Sequence, residues 1–193
     1  MPRPKEFNEE IALDAAIECF WRNGYEATSV RDLAAAMGIS GPSLYNAFGN
    51  KRALFAKALE SYLDQSARAM IKRIEDSLPP KEAIRRFLDE IVESSVSDRE
   101  RRGCFLINSA LEVAPHDSEL GEFIADRFDE IEAFFYRSIK AAQAESAIPR
   151  DQAPRDLARL LLSVLLGIRV LARSKPNRTL LQGIARPALA LLD

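Results

Sequence analysis

Ser40, Ser43, Tyr45, Asn46 and Lys51 crowd three hydroxyls, a carboxamide and an ammonium into one short stretch of the chain. Such groups donate and accept hydrogen bonds and pair with anions, but they break no bonds unaided. Residues suited to covalent or metal chemistry are scarce. His116 is the one histidine, and Cys19 and Cys104 stand too far apart for a C-x-x-C knuckle, so neither a metal site nor a cofactor is expected. The glycines fit neither G-x-G-x-x-G nor G-x-x-x-x-G-K, which removes phosphate-cradling loops. Neither paired carboxylates nor a Ser/His/Asp set can be assembled, which leaves an enzyme with Glu112 or another buried acid as its equipment. Recognition is the chemistry these residues offer best.

Positioning them requires helices. An Asn8 cap, with Glu9 and Glu10 at the positive end of the dipole, starts a first helix that stops at Gly24, with Ala12, Ala16 and Phe20 one turn apart. A second opens at Ser29, with Asp32 three residues on as a variant capping box. It turns Val30, Leu33, Ala34 and Met37 to one side before Gly38 ends it. Ser40 caps a third, and Pro42 falls in its first turn, where a missing N–H does no harm. Leu44, Ala47 and Phe48 form its inner face, so Ser43, Tyr45 and Asn46 point away. After Gly49, Asn50 caps a long helix predicted from Lys51 toward Ser77, roughly 40 Å by its rise per residue.

The 193 residues, 47% hydrophobic and 29% charged with a net charge of -2, belong to the ordinary soluble globular class. Isoleucine, valine and threonine are too sparse for a protein built mainly of strands. An all-α fold of about nine helices is expected, with residues 1–50 as one module, residues 51–193 as a second domain and helix 51–77 connecting them. The later helices are read over 81–97, 104–114, 118–146, 155–174 and 178–192, and Pro187 is predicted to kink the last. No charged and apolar leader opens the chain, and the longest apolar run, Leu160 to Ile168, is too short for a bilayer. No membrane partner and a cytoplasmic location are therefore expected.

The last two helices are the most apolar. Leu157, Leu161, Val164, Ile168 and Leu171 step by four and three residues, and Leu181, Ile184 and Ala188 follow a similar stripe. The stripe is either intramolecular core or a dimer interface that Gly167 would allow to close tightly, and because it is too long for one two-layer domain to cover, these residues are assigned to a homodimer interface. Tyr62, Phe87, Phe105, Phe123, Phe128 and Phe135 are enough to line a cavity for a small-molecule effector or simply to pack a core. Asn108 and Glu112, one turn apart on an otherwise apolar helix, either orient that ligand or satisfy each other or a neighbouring helix end. Trp21, Tyr25 and Cys19 read as packing residues, Cys104 as a helix start and His116 as a loop residue.

Two short capped helices joined by a Gly-containing turn and preceded by a third form a helix-turn-helix arrangement, whose second helix enters the major groove of DNA. Ala16, Phe20, Gly24-Tyr25, Thr28-Ser29, Asp32-Leu33-Ala34, Gly38-Ile39-Ser40, Leu44-Tyr45, Phe48, Lys51 and Leu54 carry a stronger signal. Through them, residues 3–59 resemble the N-terminal domain of tetracycline-repressor (TetR) type transcriptional regulators. The segment from Gly103 to Glu112 resembles one that recurs in a branch of these regulators. Ala47 departs from the pattern, since many members place histidine there. The resemblance implies a homodimer that binds a palindromic double-stranded operator and releases it when a small molecule fills a pocket in the C-terminal domain.

Charge has to be read locally. Residues 1–52 hold six basic and seven acidic side chains, so bulk electrostatics gives no signal for nucleic acid. Yet 28–31 and 40–46, the segments that should face DNA, contain Arg31 and no acid, and Arg3 and Lys5 form an arm able to reach the minor groove. Thr28, Ser43, Tyr45 and Lys51 are assigned to phosphates, Lys51 aided by the helix N-terminus beside it. Asn46, with Gly41 and Pro42, is assigned to base edges, and Ser29, Arg31 and Ser40 complete the DNA-facing set. The alternatives are an activator using the same module, or a small all-α enzyme built on a buried carboxylate.

Overall fold

The computed structural model describes residues 7–193, and every regular element among them is helical. In chain order these are α1 Glu9–Asn23, α2 Val30–Met37, α3 Gly41–Phe48, α4 Lys51–Leu63, α5 Ala69–Glu75, α6 Pro80–Ser97, α7 Phe105–Glu112, α8 Ser118–Ala144, α9 Pro154–Ser174 and α10 Arg178–Ala190. A π-helical turn, Asp64–Arg68, joins α4 to α5 without a break, so nine continuous rods stand among the described residues. That turn interrupts the long helix read from Lys51 onward, and no periodicity announced it. It is held by the Ser66 hydroxyl, which donates to the Tyr62 carbonyl at 2.6 Å. Arg68 adds to this by donating to Glu60 at 2.6 Å and Asp64 at 2.8 Å on its own rod and to Glu130 at 2.8 Å on α8.

Side chains fix the starts of the first four helices. Asn8 Oδ1 accepts from the N–H of Glu10 at 2.9 Å, Ser40 Oγ from Ser43 at 3.2 Å and Asn50 Oδ1 from Ala53 at 2.8 Å. Ser29 and Asp32 complete the capping box in both directions. Gly38 closes α2 at φ 66°, a left-handed conformation that favours glycine. α1 packs on α2 and α4, and α3 on both of these, so Ala16, Phe20, Leu33, Leu44 and Leu54 share one buried core.

In the remainder, α8 lies along α9 and α6, and α10 packs on α6 and α9. Phe87, Phe134 and Phe135 meet at the centre, with ring centroids 5.1–5.4 Å apart. This packing corrects the reading of the last two helices. Leu157, Leu161 and Ile168 on α9, and Leu181 and Ala188 on α10, are buried within the single chain. The apolar stripe of α9 is wide enough to be covered on one side by α8 and α10 and still leave an outer margin. Val164 and Ile184 are half-buried on that margin, while Leu171 and Leu160 are exposed. α10 runs on through the exposed Pro187, which denies the Gly183 carbonyl its helical donor. Among the described residues no helix is long and apolar enough to cross a membrane.

Candidate nucleic-acid interface

α3 divides as its period requires. Leu44 and Phe48 are buried, whereas Pro42, Tyr45 and Asn46 are exposed, Tyr45 by 51%. Gly41 has no atom within 4 Å of where a Cβ would stand, so its backbone at the helix start is open to close approach. Ser40 is exposed and Ser43 half-buried, and their hydroxyls hydrogen-bond to one another at 2.8 Å. Arg31 is exposed in the first turn of α2. Exposed Ser29 donates its hydroxyl to Asp32 at 2.5 Å, and these hydrogen bonds hold the Asp32 carboxyl below its ordinary pKa. Lys51 opens α4 with its ammonium 4.4 Å from the Tyr25 ring centre, donating to the Glu26 carbonyl at 3.5 Å.

Thr28 departs from its expected place. It is 1% exposed and its hydroxyl donates to the Gly24 carbonyl at 2.6 Å, closing the loop after α1. A buried hydroxyl must find its partner inside, and this one has done so without reaching the surface. Arg3 and Lys5 lie outside the described residues.

The aromatic residues assigned to an effector pocket do not converge on one. Phe87 and Phe135 belong to the central core, and Phe105 packs edge-on against Phe55 and Tyr62. The half-buried Tyr62 donates its hydroxyl to Cys104 Sγ at 3.8 Å, and desolvation pushes its pKa up. Phe123 lies under the Arg127 guanidinium, 4.4 Å from it, and Phe128 is half-buried on α8. Three assigned residues do meet. Phe105, Asn108 and Glu112 line a cavity of about 320 Å³ between the end of α1, α7 and Arg173 of α9. Asn108 and Glu112 do not bond each other, which removes one of the alternatives left open for them. Asn108 Nδ2 donates to the Arg102 carbonyl at 2.8 Å, and Glu112 Oε1 accepts from the Glu26 N–H at 2.9 Å. A wider groove of about 480 Å³ runs between the π turn, α5 and α8, floored by Leu63, Ile71 and Ile131. With the π turn hidden, nothing in the sequence marked it.

Contacts between the first four helices and the rest lie equally outside what spacing foretells. Arg52 donates to both carboxylate oxygens of Asp117 at 2.7 Å and to Glu119 at 2.6 Å. The guanidinium beside it, with the Leu120 N–H, lowers the Asp117 pKa to about 2. Arg102 sits 4.2 Å from the Trp21 ring centre and donates to Glu18 at 2.5 Å. These partners stand 65 to 86 positions apart, beyond the reach of spacing rules, and only the abundance of charge hinted at them.

Residues 12–58 match the family model of bacterial regulatory proteins of the tetR family. Residues 80–187, more than half of the chain, match the C-terminal domain of LmrA/YxaF-like transcriptional regulators. The chain belongs to the TetR family. This TetR-family regulator is 35% identical over 194 residues to the uncharacterized HTH-type transcriptional regulator YezE of Bacillus subtilis (strain 168), with 100% of each chain covered. It is 30% identical over 190 residues to the HTH-type transcriptional repressor ComR of Escherichia coli (strain K12), covering 98% of this chain and 90% of that one. A cysteine-substituted form of the TetR family transcriptional regulator CifR, solved with 26-bp double-strand operator DNA, shares its fold at a TM-score of 0.88. The identity there is 31%, over 99% of this chain and 100% of that one. The helix-turn-helix of this TetR-family member therefore serves transcriptional regulation and not catalysis.

Proposed function

We propose that the protein is a repressor that binds a palindromic operator as a homodimer and is displaced from it by a small molecule. Residues 1–50 take the DNA, and residues 51–193 take the partner copy and the effector. One observation carries the DNA contact: α3 leaves Pro42, Tyr45 and Asn46 in solvent, away from the buried Leu44 and Phe48. Tyr45, Ser43 and Lys51 hold phosphates, while Asn46 pairs with a base edge, adenine above all, and Pro42 and Gly41 lie against neighbouring bases. The dimer forms on the outer margin of the last two helices, where Leu160, Val164, Gly167 and Leu171 step by four, three and four along α9, together with Ile184 of α10 and Leu191 just past its end. Twofold symmetry of the protein then demands a palindromic site. The CifR–operator complex and the repressor ComR support the same reading.

Binding of the wild type to DNA upstream of its own gene, set against a scrambled duplex at several salt concentrations, tests this function. Selective binding is expected, and equal affinity for both duplexes would overturn it. Val164→Asp should yield monomers in sedimentation, because a carboxylate on that margin has no partner to pair with. A wild type that is already monomeric would contradict the dimer.

A further inference from the structure

Three charged side chains line the cavity between α1 and α7; Arg22 is paired with Glu100 at 3.3 Å, which leaves Arg173 and Glu112 as two opposite charges with capacity to spare. Arg173 donates from Nη1 to Asn108 Oδ1 at 3.1 Å, and among the described residues no carboxylate pairs with it. Glu112 accepts from the Glu26 N–H through Oε1 at 2.9 Å, and among the described residues its Oε2 has no hydrogen-bond donor. Asn108, which holds Arg173 from α9, precedes Glu112 by one turn of α7, so the side chain that anchors the guanidinium and the carboxylate rise from the same face of that helix. Stability alone does not explain Glu112. A carboxylate at the C-terminal end of α7 opposes the helix dipole. Phe105 and Trp21 supply apolar wall, and Leu111, 66% exposed, stands at the rim.

We propose that this cavity is the effector site and that its ligand is a small zwitterion of the amino-acid class, with its carboxylate on Arg173 and its ammonium on Glu112. The assignment rests on the effector-responsive reading above. A simple anion would meet the Glu112 carboxylate and a simple cation the Arg173 guanidinium, whereas a zwitterion satisfies both. The volume of about 320 Å³ admits a molecule of that size. Its position couples it to DNA. One wall is the end of α1, from Phe20 to Gly24, and the other is α7 with Arg173, so a ligand there is gripped from both sides of the junction. Glu112 rests on the loop backbone so closely that a Cβ at Gly24 would stand 2.7 Å from Oε2. An ammonium that draws Glu112 away from the Glu26 N–H loosens the loop leading to Ser29, the cap of α2.

Trp21 is the only tryptophan and lines the cavity, so its emission reports occupancy. The full-length protein is titrated with L-leucine, L-phenylalanine and L-glutamine, and any that bind are repeated as the amide and as the N-acetyl derivative. A saturable change is expected for at least one free amino acid, weaker by tenfold or more when either end is blocked. Arg173→Gln and Glu112→Gln should each weaken it as much while leaving the thermal midpoint close to wild type. No saturation with any of the three, or equal binding of the blocked forms, overturns the ligand class. Operator affinity measured with the bound amino acid should fall by the same factor by which operator weakens ligand binding. Occupancy that leaves operator affinity unchanged overturns the effector assignment. Failure of the ligand-free protein to bind operator would instead overturn the function proposed above.

Discussion

In α1 to α4 every helix begins on a side chain that accepts a backbone N–H, whereas in the remainder only α8 and α10 do so, from Asp117 and Asn177, and α6, α7 and α9 begin at Pro79, Cys104 and Ala153 with no such bond. The lengths differ too, although α7 is as short as α2. α2 and α3 have 8 residues each, too short to persist in water on propensity alone, while α6, α8 and α9 have 18, 27 and 21. The DNA-facing region is thus held by a local hydrogen-bond code written into adjacent residues, and it leaves one face of α3 free of packing duties. The C-terminal region is held by long stripes that acquire meaning only against each other.

The largest test of that difference removes packing. Phe134→Ala opens a void between Phe87 and Phe135 and should cost about 3–5 kcal/mol in denaturant unfolding. A loss below about 1 kcal/mol would mean that the aromatic cluster is not what holds the second region. Ser29→Ala, in the capped region, removes the hydroxyl arm of the capping box and should cost about 0.5–2 kcal/mol while leaving the C-terminal helices protected from hydrogen exchange. The smallest effect belongs to the seam between the regions. Because Arg52 holds the Asp117 pKa at about 2, below its ordinary 3.8, the pair stabilises the fold above the ordinary value and loses that contribution as pH falls toward 2. Asp117→Asn should flatten the acid limb of a thermal-midpoint curve over that range, and an unchanged limb would show the seam to be electrostatically silent.

The same contrast explains what could be read in advance. Asn8, Ser29 with Asp32, Gly38, Ser40 and Asn50 are local signals, and each helix end they announce stands within a residue or two of its place. The outward set on α3 was legible because Leu44 and Phe48, one turn apart, fix its orientation. Along α9, Leu161 and Val164 look alike in sequence, yet one is buried and the other half-exposed, because periodicity marks an apolar face without naming what covers it. Phe87 and Phe135 were legible as buried side chains, but a pattern cannot tell a packed core from a lined cavity. Thr28 carries the hydroxyl expected at a phosphate, and only the backbone trace after Gly24 turns it inward.

The assignment of Asn46 as the base-reading side chain is tested most directly by pairing Asn46→Ala with Lys51→Ala on operator and scrambled duplexes across a salt series. Lys51→Ala should weaken both duplexes and lower the salt slope by roughly 1 for each phosphate it no longer neutralises. Asn46→Ala should weaken the operator alone, by about 1–3 kcal/mol, with scrambled DNA unaffected. Equal weakening of the two duplexes by Asn46→Ala, or no weakening of either, would contradict the assignment of sequence reading to the exposed face of α3.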